Sequence, residues 1–164
     1  MSRRTPTFAA IDFETANGYR NSACQVAIVR VTGGRIVRRS TRLIRPPSSN
    51  FTFTRIHGLS WEDVRGEPTF AEIWPSLVPL LRGVEFIAAH NAPFDRSVLR
   101  TCCRWYGLDV PDIPFECTVR LARETWGLRP TRLPDVAAFL GFNLRHHDAA
   151  SDAEACARIV LAAS

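Results

Sequence analysis

Apolar and polar positions divide the chain into two regimes, one of strand-like runs up to Ile44 and one of helical stripes broken by short apolar runs after it. Thr7 to Thr15 is a short apolar run bounded by Pro6 and by Asn17-Gly18, the pattern of a buried strand. Ala23 to Val31 alternates as a second strand, Thr32-Gly33-Gly34 is a hairpin turn, and Arg35 to Ile44 is a third strand. Together they predict an antiparallel meander, ended by the loop Arg45-Pro46-Pro47-Ser48-Ser49-Asn50.

The turn Ile56-His57-Gly58-Leu59-Ser60 then leads into a short helix, Trp61 to Val64, with Ser60 as its cap. Phe70, Ile73, Trp74, Leu77 and Leu81 repeat at helical spacing, and Pro75 and Pro79 are expected to kink or divide that helix. Glu85 to His90 is a fourth strand, followed by a helix from about Phe94 to Tyr106 that Gly107 closes. Ile113 to Cys117 is a fifth strand. Helices follow over Val119–Thr125, Leu133–Leu140 and Ala149–Ala162. A meander followed by alternating helices and strands predicts an α/β layer fold with a mixed five-stranded sheet, and with no linker or repeat in view residues 1–164 form a single domain.

Composition narrows the class. The chain has 164 residues, 46% of them apolar and 23% charged, enough for one sizeable core and unlike a disordered tail. Its net charge of +5 comes entirely from arginine, which favours a polyanionic partner. Five cysteines (Cys24, Cys102, Cys103, Cys117, Cys156) show no C-x-x-C spacing, as expected of reduced thiols. The opening Met1 to Pro6 lacks an apolar signal region, and no apolar run approaches the roughly 20 residues of a membrane span. The expectation is a cytoplasmic protein without a membrane partner.

Candidate chemistry begins in the first strand. Asp12 and Glu14 share a face because strand side chains alternate, with Cα atoms about 6.6 Å apart. Two acids at the end of an apolar strand repel and are costly to desolvate, a penalty that a hard divalent cation removes. Two further acids fall at element ends: Asp95, in the first turn after His90-Asn91-Ala92-Pro93-Phe94, and Asp152, at the start of the last helix. Five helical steps of about 100° would leave His147 and Asp152 about 140° apart. They serve one site only if His147 lies in the approach loop, as Asp148 acting as N-cap would arrange, with Ser151 the rival cap.

Asp12-x-Glu14, His90-Asn91-x-x-Phe94-Asp95 and His147-x-x-x-x-Asp152, in that order, resemble the DEDD exonuclease superfamily, in its DnaQ-like, DEDDh branch. That branch includes the proofreading subunit of bacterial replicative polymerase. The Ile56-His57-Gly58 turn and Cys117-Thr118-x-x-Leu121-Ala122-Arg123 are similar to the same family. The tyrosine branch would need a tyrosine four residues before the last acid, where Asp148 stands.

The resemblance implies an RNase H-like fold and a 3′→5′ exonuclease that uses two magnesium or manganese ions held by Asp12, Glu14, Asp95 and Asp152. His147 would be the general base, with a pKa useful near neutrality. Spacing alone does not separate it from His90, which also precedes an aspartate by five; the family pattern favours His147. His146, His147, Asp148 and Asp152 could form a zinc site, although four oxygen ligands from three segments indicate a harder metal. Expected contacts to the nucleic acid are Thr15, Asn17, His57, Asn91, Arg96 and Arg100. Arg96, Arg100 and Arg104 recur every four residues as a basic stripe, Arg35, Arg38, Arg39, Arg42 and Arg45 form a second basic set, and the tryptophans Trp61, Trp74, Trp105 and Trp126 are assigned to the core.

The expected partner is DNA or RNA with a free 3′ end, with a DNA polymerase as a further candidate. A sequence that stops with the helix carrying Asp152, without a long tethering tail, leads us to expect a free-standing exonuclease. The alternative is a catalytically silent nucleic-acid-binding or polymerase-accessory module of the same fold; four carboxylates and a histidine in place count against it.

Overall fold

The computed structural model describes residues 4–164. Its centre is a five-stranded mixed sheet in the order β3-β2-β1-β4-β5. β1 (Phe8–Thr15), β2 (Ala23–Thr32) and β3 (Arg35–Leu43) form the antiparallel meander, whereas β4 (Ile87–Ala89) runs parallel to β1 and β5 (Phe115–Cys117) parallel to β4. This is the α/β architecture expected from the sequence.

Seven α-helices follow among the described residues: α1 (Thr54–His57), α2 (Trp61–Val64), α3 (Phe70–Leu77), α4 (Ala92–Trp105), α5 (Thr118–Trp126), α6 (Leu133–Leu140) and α7 (Ala149–Ala163). Four details depart from the sequence pattern. The Ile56-His57 turn is a one-turn helix, α1, whose chain leaves through Gly58 at φ 80°. Pro75 lies inside α3 without breaking it; the helix ends at Leu77 and tightens into a 3-10 turn over Val78–Leu81, where Pro79 sits in the first turn. β4 is shorter than its apolar run, since Glu85 and Phe86 make only irregular bonds to Thr7 and Ala9. Trp105 is 60% exposed and so lies outside the core, whereas Trp74 is buried.

The sheet's two faces are packed by side chains of different size. On one face Ile11, Phe13, Val26, Ile28 and Ile87 meet the large residues of α3 and α4, among them Phe70, Trp74, Leu77 and Leu99. On the other, Ala10, Ala27 and Ala88 meet Ala149, Ala153, Cys156 and Ala157 of α7. Small residues on both sides let a helix approach a sheet closely, and apolar burial without voids rewards that approach. Asp12 and Glu14 continue the face of Phe8 and Ala10, so the first turn of α7 arrives directly above them. No helix is long and apolar enough to cross a membrane among the described residues.

Candidate functional site

Four carboxylates from three segments meet at the carboxyl end of β1. Asp12 and Glu14 come from the strand, followed by a register shift between Glu14 and Thr15 that leaves Cys24 as an extra residue on β2. Such a bulge ends the regular pairing and turns the strand at this point. Asp95 comes from the first turn of α4. The chain enters that helix through Asn91 in a left-handed conformation, φ 69°, and the buried Asp95 carboxylate accepts the Phe13 backbone N–H through Oδ1 at 2.9 Å. Asp152 comes from the first turn of α7, where Asp148, not Ser151, is the N-cap and accepts the Ser151 amide at 3.2 Å.

Carboxylate oxygens of Asp12, Glu14 and Asp152 lie within 4.8 Å of one another. Asp95 lines the same cleft, whose volume is about 290 Å³. Burial first, then the neighbouring acids Asp95, Glu14 and Asp152, hold the Asp12 pKa well above its ordinary value. Burial and Asp152 raise Glu14 from 4.5 to about 8. Asp95 is raised by burial and by Glu14 and Asp152, although the Phe13 amide works against the shift. Asp152 is raised by burial, with His146 opposing. Asp12 Oδ2 is buried and has no hydrogen-bond partner among the described residues. An orphaned carboxylate oxygen among three other acids suits oxygen-seeking divalent cations, which need several such ligands.

Four histidines line the cleft, and His90, His57 and His147 differ in freedom. His90 has both ring nitrogens engaged: Nε2 donates to the Thr131 carbonyl at 2.8 Å, and Nδ1, left as an acceptor, takes the Thr118 hydroxyl at 2.7 Å. Burial keeps its pKa low, consistent with a neutral strut. His57 is similarly committed, since its Nδ1 accepts the Leu59 amide at 3.0 Å and its Nε2 donates to the Thr15 carbonyl at 2.9 Å. His147 stands in the loop before α7 with φ 65°, its backbone N–H donating to Asp152 Oδ2 at 3.0 Å. Its ring is exposed at the cleft and makes no hydrogen bond among the described residues; partial burial, then His146 and His57, lower its pKa.

The other expected contacts are dispersed. Thr15 lines the cleft, but Asn17 is buried and spent on its own loop, donating to the Asn50 carbonyl at 2.8 Å and accepting the Tyr19 amide at 2.8 Å. Both ends of its amide are thus engaged within the chain. Asn91, Arg96 and Arg100 are exposed outside the cleft lining. The second basic set is partly committed, Arg39 of β3 to Glu154 at 2.6 Å and Arg45, in the loop after β3, to Glu72 at 3.9 Å. Phe53, Ile56, Phe94, Leu133 and His146 form an apolar and imidazole wall that the sequence reading missed. Phe53 and Ile56 stand three residues apart, nearly one helical turn, just before His57, and that spacing is the signal that could have revealed part of it.

The exonuclease family profile (RNase_T) matches residues 9–160. The chain belongs to the exonuclease family. Over 160 residues, 94% of this chain, it is 31% identical to the PolC-type DNA polymerase III of Thermotoga maritima, of which the match spans 12%. It is 32% identical over 163 residues to exodeoxyribonuclease 10 of Escherichia coli K12, covering 92% of this chain and 66% of that protein. Among solved structures it is similar to exonuclease X in complex with 5′-overhanging duplex DNA (TM-score 0.72, 25% identity, 95% of this chain and 89% of the other). It also shares the fold of the nuclease domain of 3′hExo, a DEDDh family member bound to rAMP (TM-score 0.83, 16% identity, 99% and 93%). The chain therefore spans only a small part of the long polymerases it matches, and much more of the shorter nucleases.

Proposed function

We propose that this exonuclease-family chain removes nucleotides from the 3′ end of DNA or RNA, releasing nucleoside 5′-monophosphates. The observation that carries the reading is that Asp12, Glu14, Asp95 and Asp152 line one cleft in which Asp12 Oδ2 is buried and, among the described residues, unpartnered. These four acids would hold two magnesium or manganese ions. Bound there, such ions supply charge neutralisation for both the attacking and the leaving oxygen of an in-line displacement at phosphorus.

The chain's own groups do the rest. His147, whose ring is uncommitted, takes the proton of the attacking water, a role that His90 and His57 are unsuited to because their nitrogens are occupied. The loop geometry supports this assignment: the Asp152 carboxylate fixes the backbone of His147 while leaving its imidazole free. Phe53, Ile56 and Phe94 offer an apolar wall for the terminal base, and Arg96 and Arg100 a basic track for the phosphates behind it. The reduced thiols fit a cytoplasmic setting. Attachment to a DNA polymerase is the second setting, suggested by the match to PolC-type proteins.

The test compares 5′-labelled single-stranded DNA, overhanging duplex DNA and RNA, each with magnesium, manganese or a chelator. A ladder shortening from the 3′ end, present only with metal, is expected. Internal cuts in circular single-stranded DNA would show an endonuclease, and binding without digestion would return the silent accessory module.

A further inference from the structure

The mouth of the cleft carries a feature that hydrolysis at the four carboxylates does not require. His146 and His147 are consecutive residues, yet their rings stack with centroids 3.8 Å apart. Consecutive side chains in extended backbone point to opposite sides. The left-handed His147, φ 65°, turns the chain so that both imidazoles face the same way. That conformation is costly for a non-glycine residue and persists where its surroundings over-determine it. Here Asp152 does so, through the His147 amide at 3.0 Å and through His146 Nδ1, 3.3 Å from Oδ2.

One nitrogen from each imidazole and one Asp152 oxygen lie within 4.8 Å of one another. Ligand atoms around a tetrahedral zinc ion sit roughly 3.4 Å apart, so small rotations of two exposed rings would bring the three together. Two imidazoles and one carboxylate are a donor set for a borderline divalent metal and a poor one for magnesium, which prefers oxygen. We propose that His146, His147 and Asp152 form a zinc site, and that zinc bound there inhibits the enzyme. A His147 imidazole held by zinc is no longer free to take the proton of the attacking water, and Asp152 is withdrawn from the oxygen cluster. The inhibition rests on the reading of His147 and Asp152 above; the binding does not.

The experiment therefore has two readouts, on the full chain with magnesium in excess. The first is the zinc retained per chain after equilibrium dialysis, for the wild-type protein and for His146→Gln and His146→Asn, all checked by thermal melting. The wild-type protein is expected to retain one more zinc than either variant, which cancels any zinc held by the cysteines. The second is the zinc concentration that halves exonuclease activity, each protein measured against its own zinc-free rate. It should rise at least about tenfold in both variants, since even outer partners of a metal site cost that much in affinity. Equal zinc retention by all three proteins overturns the site. Lower retention with an unchanged inhibitory concentration overturns the inhibition. A chain without nuclease activity would sink the proposed function while the dialysis still decides the zinc site.

Discussion

The backbone N–H of Phe13, the residue between Asp12 and Glu14, donates to Asp95 Oδ1 at 2.9 Å. A single bond thus ties the strand that carries two of the acids to the helix that carries the third, across 82 residues of sequence. Asp95→Asn keeps an acceptor at Oδ1 and removes one like charge from the cluster. Its metal-free melting temperature should equal or exceed that of the wild-type protein, while the rise on adding manganese shrinks and digestion is lost. Asp95→Ala leaves the buried Phe13 amide unsatisfied, at a cost of about 1–3 kcal/mol, and should melt below the asparagine variant. An alanine variant as stable as the asparagine one would deny that bond its structural role.

Metal-free stability should fall as pH rises from 6.5 to 8. The folded protein holds a proton on Glu14 up to about 8, whereas an unfolded chain loses it near 4.5. The folded state therefore binds more protons in this window, so raising the pH favours unfolding. The lowered pKa values of His90 and His147 act in the opposite direction, but below about 6.5, where those residues charge in the unfolded chain. Thermal melting in a chelator should show the decline, at about 2–4 °C per kcal/mol for a chain of this size. Saturating manganese should flatten it, because bound cations replace the protons. A pH-independent melting temperature in the chelator would mean that the four acids do not share one buried site.

His147→Gln should lower turnover by roughly 10²- to 10⁴-fold, the usual share of general acid–base catalysis. Manganese-induced stabilisation should stay near that of the wild-type protein, because the four carboxylates are untouched. The rise of wild-type rate with pH through the imidazole range should vanish in this variant. His90→Gln should instead lower thermal stability, since the Thr118 and Thr131 contacts are disturbed. Near-normal turnover by His147→Gln would move the base elsewhere.

Ala153 is fully buried between α7 and the sheet, one residue after Asp152. Ala153→Leu adds volume where small residues set the helix–sheet distance, costing about 1–3 kcal/mol. The helix should lift and carry Asp152 away from Asp12. A displacement of the order of 1 Å should cost roughly 10²-fold in rate, measured with metal in excess. Wild-type rate in a destabilised variant would show that the acids tolerate a looser α7.

Replacing Arg96, Arg100 and Arg104 together with alanine should weaken binding of long strands and flatten its salt dependence, since each lost phosphate contact reduces counterion release. Hydrolysis of a dinucleotide should change little. All three side chains are exposed and make no ion pair among the described residues, so the fold should be unaffected. Unchanged affinity for long strands would leave the stripe as a solvated helix face.

The sequence by itself determined the meander, the parallel strands after it and the acids at the element ends, because period-two and period-3.6 apolar patterns and turn residues are local properties of the chain. Asp148 as the cap that frees His147 from the last helix was likewise readable as one of two local choices. What only the tertiary structure decided is which groups are left free. Asn17 and His57 look like ligand contacts in sequence, but a distant partner engages one end of each side chain, Asn50 for the first and Thr15 for the second. His90 and His147 share the same spacing to an aspartate; Thr118 and Thr131 occupy both nitrogens of the first, while among the described residues no hydrogen bond holds the ring of the second. The wall of Phe53, Ile56 and Phe94, and the stacking of His146 on His147, arise from helices and a left-handed turn brought together by packing. Hydrogen-bond satisfaction and side-chain proximity depend on contacts between segments far apart in the chain, and no local pattern encodes them.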